Sequence, residues 1–278
     1  MTILTPAVLS SLRATPLLAK DWYYIAAATF SVCNQPQEIP VIFRYAIEHD
    51  AAVVTTTASS SAPEPRPTTL GSPASDSLSP PGSPTSSHFG AEDDTMLADT
   101  CARDPADVRR IVRKTREALL KGAALVGLPR TINSLIQLRN ATPHEFRDDD
   151  PLRRSVDREG SEEAELRRGQ EFWNQVYGKV SRRVLSQMNT AYPDLAQYAL
   201  QHVYAPLLSF TDVLSPKETS FVVVACLIPQ DVNPQLKGHL HGGLNNGATK
   251  EELMSVRELA MKVSTLCGVS WKEEVAML

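Results

Sequence analysis

The stretch QLKGHLHGGLNNGATKEEL, Gln235 to Leu253, decides the fold. After Pro234 a helix runs to Asn246-Gly247, where glycine supplies the left-handed stop. Thr249-Lys250-Glu251-Glu252 then forms a capping box, in which hydroxyl and carboxylate satisfy each other's backbone amides and open the next helix. The pattern reads helix, tight turn, helix. Gly242-Gly243 with Asn245-Asn246-Gly247 resembles a phosphate loop only superficially, because the glycine-lysine-serine/threonine ending is missing; turn formation and close helix packing account for these residues.

Working upstream, Ser215-Pro216-Lys217-Glu218 is a second capping box with proline at the first helical position. The run FVVVACLI, Phe221 to Ile228, suits a buried strand or a buried helix, and the cap before it selects helix. Leu195, Tyr198, Ala199 and His202 keep helical spacing after Tyr192-Pro193-Asp194. Before them, Phe172, Val176, Val180, Val184 and Met188 recur every four residues and predict one long core-facing helix starting at Ser161. No segment alternates with period two between hairpin turns, so the expected class is all-α.

The two halves resemble each other. REALLKGAALVGLP (Arg116 to Pro129) matches RELAMKVSTLCGVS (Arg257 to Ser270) at a constant offset of 141, and IPVIFRYAI (Ile39 to Ile47) lies over LKGHLHGGL (Leu236 to Leu244) at an offset of 197. The first copy therefore carries 56 extra residues where the second makes its Asn246-Gly247-Ala248 turn. Residues 51–90 hold 23 Ser, Thr or Pro in 40 positions and one aromatic residue, Phe89, too little apolar surface to offset ordering entropy. The expected organisation is a diverged N-terminal helical repeat over 1–50 and 108–146 with a mostly disordered insertion over 51–107. A charged connector over 147–168 and a C-terminal repeat over 169–278 follow. Ser72-Pro73, Ser79-Pro80 and Ser83-Pro84 would suit a proline-directed kinase.

Residues Ser215 to Val263, centred on Gln235 to Leu253, resemble the carboxymuconolactone decarboxylase family and its alkylhydroperoxidase D-like relatives. Tyr192-Pro193-Asp194-Leu195 looks like that family's preceding helix, and Trp22 to His49 with Val108 to Leu138 looks like a second, diverged copy. The resemblance implies two tandem all-α repeats, assembly into homo-oligomers, and either decarboxylase chemistry or thiol-based peroxide reduction. His239, eight residues before Gly247, matches the family histidine. The peroxidase branch places a Cys-x-x-Cys pair seven and four residues before it, where this chain has Val232 and Gln235. The family's relay glutamate would fall at Ser220, with Glu218 two places away; in the first repeat Ile42 replaces the histidine.

His239 is thus the candidate general acid/base, since imidazole exchanges protons near neutral pH, with Glu218 as a second candidate. The alternative for His239 is a core histidine satisfied by a backbone carbonyl or a Glu. His241, two residues on, faces about 200° away on a helix, so the pair is not expected to chelate a metal, and no metal or cofactor is expected. Arg257, Glu258 and Asn246 are candidate binding residues; Arg116-Glu117 and Arg257-Glu258 could bind a carboxylate or form ion pairs between the halves. Cys226, in apolar surroundings, should be an inert thiol. Three functions stay open: a non-thiol enzyme acting on a small carboxylated or lactone-like substrate, a peroxidase of unusual thiol arrangement, and a catalytically silent oligomerising or binding protein.

The formal net charge of -4 offers no general attraction to nucleic acid or anionic membranes. No apolar run approaches the roughly 18 to 20 residues of a membrane span. Cys33, Cys101, Cys226 and Cys267 are scattered, which suits a reducing, intracellular compartment. Residues 1–20, basic and without acids, permit a mitochondrial reading, while Ala276-Met277-Leu278 matches the peroxisomal tripeptide at its first and last positions. Cytoplasm, mitochondrion and peroxisome all remain candidates.

Overall fold

The computed structural model describes residues 2–53, 103–147 and 162–278. Most of the Ser/Thr/Pro-rich stretch with its Ser-Pro steps, most of the charged connector, and Cys101 lie outside the described residues. Those described form an all-α fold, with no strand beyond an isolated antiparallel bridge between Val53 and Arg103.

The helices are α1 (Pro6–Arg13), α2 (Trp22–Val32), α3 (Ile39–Asp50), α4 (Pro105–Val126), α5 (Leu128–Ala141) and α6 (Glu162–Tyr177). They continue with α7 (Ser181–Ala191), α8 (Pro193–Tyr198), α9 (Pro216–Leu227), α10 (Asn233–Asn245) and α11 (Lys250–Leu266). α4 and α6 begin inside the stretches assigned above to the insertion and the connector. The sequence of α2, WYYIAAATFSV, has no polar face, and all eleven residues are buried. It packs against α3, α4, α9 and α11, and so draws residues from both halves of the chain into one core.

FVVVACLI is helical, as its cap predicts. Ser215 accepts from the Glu218 amide and Glu218 returns a bond to the Ser215 amide, and Thr219 to Leu227 are all buried. The Thr249–Glu252 box at the start of α11 is likewise complete in both directions. Gly247 has φ +90°, the left-handed turn expected between α10 and α11.

The single long helix expected from Phe172 to Met188 is instead two. Gly178 adopts φ +51° and a 3-10 turn, Gly178–Val180, separates α6 from α7. The Asn245 side-chain amide donates to the Val176 carbonyl at 2.9 Å, holding the end of α6 against α10. Four-residue spacing carries no information about this break, because Val184 and Met188 keep the period in the sequence, while Val180 in the turn is exposed and not core-facing. α8 runs directly into a π-helical segment, Ala199–Leu208, that contains Pro206. Its wide turns are closed by Lys121 of α4, a fully buried lysine whose ammonium donates to the carbonyls of Leu207 (3.1 Å), Leu208 (2.9 Å) and Phe210 (2.7 Å). Among the described residues no helix is long and apolar enough to cross a membrane.

Candidate functional site

α6 is held between two close neighbours, and each contact is made at a glycine. A Cβ on Gly169 would lie 2.5 Å from the Cα of Ala205, and one on Gly242 would lie 2.8 Å from Val176 Cγ1 and 3.2 Å from the Val176 carbonyl oxygen. Only a hydrogen side chain allows the π-helical segment and α10 to approach α6 this closely. The consequence is that Tyr177, the last residue of α6, sits between Tyr204 of the π-helical segment and His239 of α10.

Tyr204 donates its hydroxyl proton to the Tyr177 hydroxyl at 3.3 Å, and the Tyr177 hydroxyl lies 3.4 Å from His239 Nε2. With Tyr177 accepting from Tyr204, its own proton is free to donate to Nε2 in the tautomer that leaves this nitrogen unprotonated. Trp173, one turn before Tyr177, walls the group with ring centroids 4.2 Å from Tyr177 and 4.7 Å from Tyr204. The Trp173 indole N–H is buried without a hydrogen-bond partner among the described residues. Burial pushes the His239 imidazole down to about 4, so it is neutral at pH 7. Burial also raises both phenols, so Tyr177 and Tyr204 stay protonated. Such an arrangement presents a neutral ring nitrogen and two hydroxyl donors in apolar surroundings.

The other sequence candidates are not gathered around His239. Glu218 bonds Lys114 of α4 and caps its own helix at the Ser215 amide (2.8 Å). Burial works to raise its carboxyl, but the bonds from Lys114 and Ser215 outweigh this and hold it below the ordinary range. Asp21 lies 3.5 Å from the same ammonium, with its carboxyl raised by burial despite that charge. Glu218 is therefore part of an ion network joining α9 to α4. Asn246 donates to the Ser220 hydroxyl at 2.9 Å, pairing the position of the family glutamate with the end of α10. Arg257 donates to the carbonyls of Val275 (2.7 Å) and Ala276 (3.0 Å), while Glu258 is exposed, so the two act separately. Arg116, the counterpart of Arg257, lines a cavity of about 160 Å³ with Val112, Leu135, Arg139, Thr142 and Arg147. His241 is exposed whereas His239 is half-buried, as their spacing on a helix requires. Ile42 is a core residue. Among the described residues no three His, Cys, Asp or Glu side chains come together as a metal site.

Tyr177, Tyr204 and Trp173 are absent from the sequence reading. Trp173 and Tyr177 stand four apart on the helix whose Phe172–Val176 spacing was read, one residue round from that stripe, and their bulk hides them as ordinary core. Of the thiols, Cys226 is buried and pushed up to about 12, which makes it inert as expected.

Two relatives share this chain's sequence over most of their length. Peroxisomal protein 2 of Saccharomyces cerevisiae is 39% identical over 285 residues, 95% of this chain and 94% of the relative. The chain belongs to the Peroxisomal protein 2 family. A second family member, from Schizosaccharomyces pombe, is 45% identical over 168 residues, 60% of this chain and 76% of the relative. No family model and no solved structure matches the chain.

Proposed function

We propose that this chain is an enzyme of the carboxymuconolactone decarboxylase type that acts on a small carboxylated or lactone-like substrate without using a thiol. The observation that carries the reading is the Tyr204–Tyr177–His239 chain of contacts. With substrate bound, the Tyr177 hydroxyl releases the Nε2 lone pair, which takes a proton from the substrate carbon and then returns one to it. The apolar wall of Trp173 strengthens these hydrogen bonds by excluding water.

Two diverged copies of one helical unit underlie this proposal. Asn34 and Asp231, 197 residues apart, both adopt left-handed backbone (φ 56° and 57°). Gly127 and Gly268, 141 residues apart, do the same (φ 89° and 80°). These repeat the two offsets found in the sequence, the glycine pair inside an aligned segment and the Asn34–Asp231 pair outside one. The names of the relatives further support a peroxisomal location, and assembly into a homo-oligomer follows from the resemblance to the carboxymuconolactone decarboxylase family.

The reading is tested with carboxymuconolactone as probe, following carbon dioxide release by the full chain and by His239→Ala. Turnover by the wild type and a loss of 100-fold or more in kcat/KM for the variant is the expected result, the scale of general acid–base catalysis. A folded wild type that releases no carbon dioxide, or a variant as active as the wild type, overturns it and favours the silent oligomerising or binding protein.

A further inference from the structure

Arg116 and Arg257 hold matching places in the two halves of the sequence, yet the fold employs them differently. Arg116 borders the cavity of about 160 Å³ between α4 and α5. Val112 and Arg116 stand one turn apart on α4, Leu135 and Arg139 one turn apart on α5, Thr142 caps α5, and Arg147 follows the 3-10 turn His144–Phe146. The two helices pack against each other and are joined through Gly127 at φ +89°, which folds these residues around one space. Arg116 and Arg147 are half-buried and Arg139 is exposed. None of the lining residues belongs to α6, the π-helical segment or α10, which carry Tyr177, Tyr204 and His239.

Elsewhere basic side chains find acidic partners: Arg13 pairs with Asp50, Arg110 with Asp107 and Lys217 with Glu252. Among the described residues Arg116 and Arg147 form no ion pair; Arg147 donates to the Thr142 carbonyl at 2.9 Å. Glu117, next to Arg116 in sequence, lies 3.8 Å from the buried Lys121 ammonium instead. On the two-copy reading proposed above, Arg257 shows what a guanidinium in this place recognises, namely two neighbouring oxygens, the carbonyls of Val275 (2.7 Å) and Ala276 (3.0 Å). Counting back by the same 141 residues, those carbonyls correspond to Ser134 and Leu135. Both lie inside α5, where their oxygens serve the helix's own amides. Leu135 lines the cavity with Arg116, so the guanidinium borders open space where its counterpart meets two acceptors.

We propose that Arg116, with Arg139 and Arg147, binds a small aliphatic carboxylate in this cavity, at a ligand site separate from His239. The carboxylate supplies the pair of oxygens that the chain itself supplies to Arg257, in the planar geometry that suits a guanidinium fork. Val112 and Leu135 line the same space with hydrocarbon and receive a short alkyl tail, which inorganic phosphate lacks. The volume, below the ~300–1,000 Å³ of pockets for drug-sized ligands, restricts the tail to a few carbons. Because Arg139 is exposed, part of the attraction is screened by salt.

The test titrates the full chain calorimetrically with sodium butyrate, 1-butanol and sodium phosphate in low-salt buffer. The expected result is saturable binding of one butyrate per chain, phosphate weaker by about tenfold or more, and no binding of the uncharged butanol. Arg116→Gln should weaken butyrate by about tenfold or more, through loss of a charge-assisted hydrogen-bonding partner. Arg182→Gln, which removes an exposed arginine of α7, should leave the affinity unchanged. If Arg116→Gln fails to fold, hydrogen exchange of the wild type decides: butyrate should slow exchange in α4 and α5. No saturable binding, an affinity that Arg116→Gln leaves unaltered, phosphate bound as tightly as butyrate, or slowed exchange confined to α6 and α10 overturns the proposal. His239→Ala should bind butyrate as the wild type does, so failure of the decarboxylase assay leaves this result standing.

Discussion

At His239 the imidazole faces the Tyr177 phenol in place of a carboxylate, and burial alone sets its proton affinity. The folded value near 4 lies below the unfolded value of 6.5, so between these the unfolded chain binds more protons than the folded one. This contribution to stability is complete above about pH 6.5 and is lost as pH falls toward 4, a swing of roughly 3 kcal/mol at most. His239→Gln removes it. Urea midpoints measured at pH 7 and pH 4.5 should therefore fall further for the wild type than for the variant, with equal falls counting against a buried neutral histidine. The histidine itself was legible in the sequence because its place relative to Gly247 matches a motif. Its partners were not, because a tyrosine that ends one helix and a tyrosine in a π-helical turn have no fixed spacing from it. Glu218, chosen for its proximity in sequence to a family position, is held by its own helix cap, a local contact, and by Lys114, a partner distant in sequence.

Among the elements, the caps were the most readable features. Ser215, Thr249 and Gly247 each satisfy or terminate backbone locally, so neighbouring residues suffice to predict them. The break at Gly178 was hidden because an uninterrupted apolar stripe crosses it, and the π-helical widening after α8 depends on Lys121, distant in sequence. The grip on α6 is also tertiary. Gly169→Ala puts a methyl group against the Ala205 backbone, where the nearest atom is 2.5 Å away and belongs to the main chain. The two elements must separate, at a cost of about 1–3 kcal/mol for overpacking. The expected outcome is a lower thermal midpoint together with reduced carbon dioxide release, since Tyr204 moves away from Tyr177. Loss of stability with full turnover would show that the hydroxyl contact is dispensable.

For the whole molecule, Lys121 links the halves more firmly than any surface ion pair. It lies on α4, is fully buried, and supplies donors to three carbonyls of the C-terminal half, with the Glu117 carboxylate 3.8 Å away. Lys121→Met leaves those carbonyls and Glu117 without the ammonium and should cost about 3–5 kcal/mol. Chemical denaturation should show a lower midpoint with an unchanged slope; a midpoint within error of wild type would mean that water replaces the ammonium at no cost. The all-α class was legible because it follows from local periodicity. The joint core was not, because α2 gives no sign in its own sequence of which helices will cover it.

That arrangement bears on how the chain is made. α2 leaves the ribosome early with every side chain destined for the interior, and α4 can shelter part of it soon afterwards. α9 and α11, which complete its cover, lie near the other end of the chain. About 180 residues separate the end of α2 from the start of α9, which at ~5–20 residues per second amounts to roughly 10–40 s of synthesis. During that interval a helix with no solvent face stays only partly covered, so the nascent chain is a client for a chaperone that binds short, largely apolar segments and releases them late.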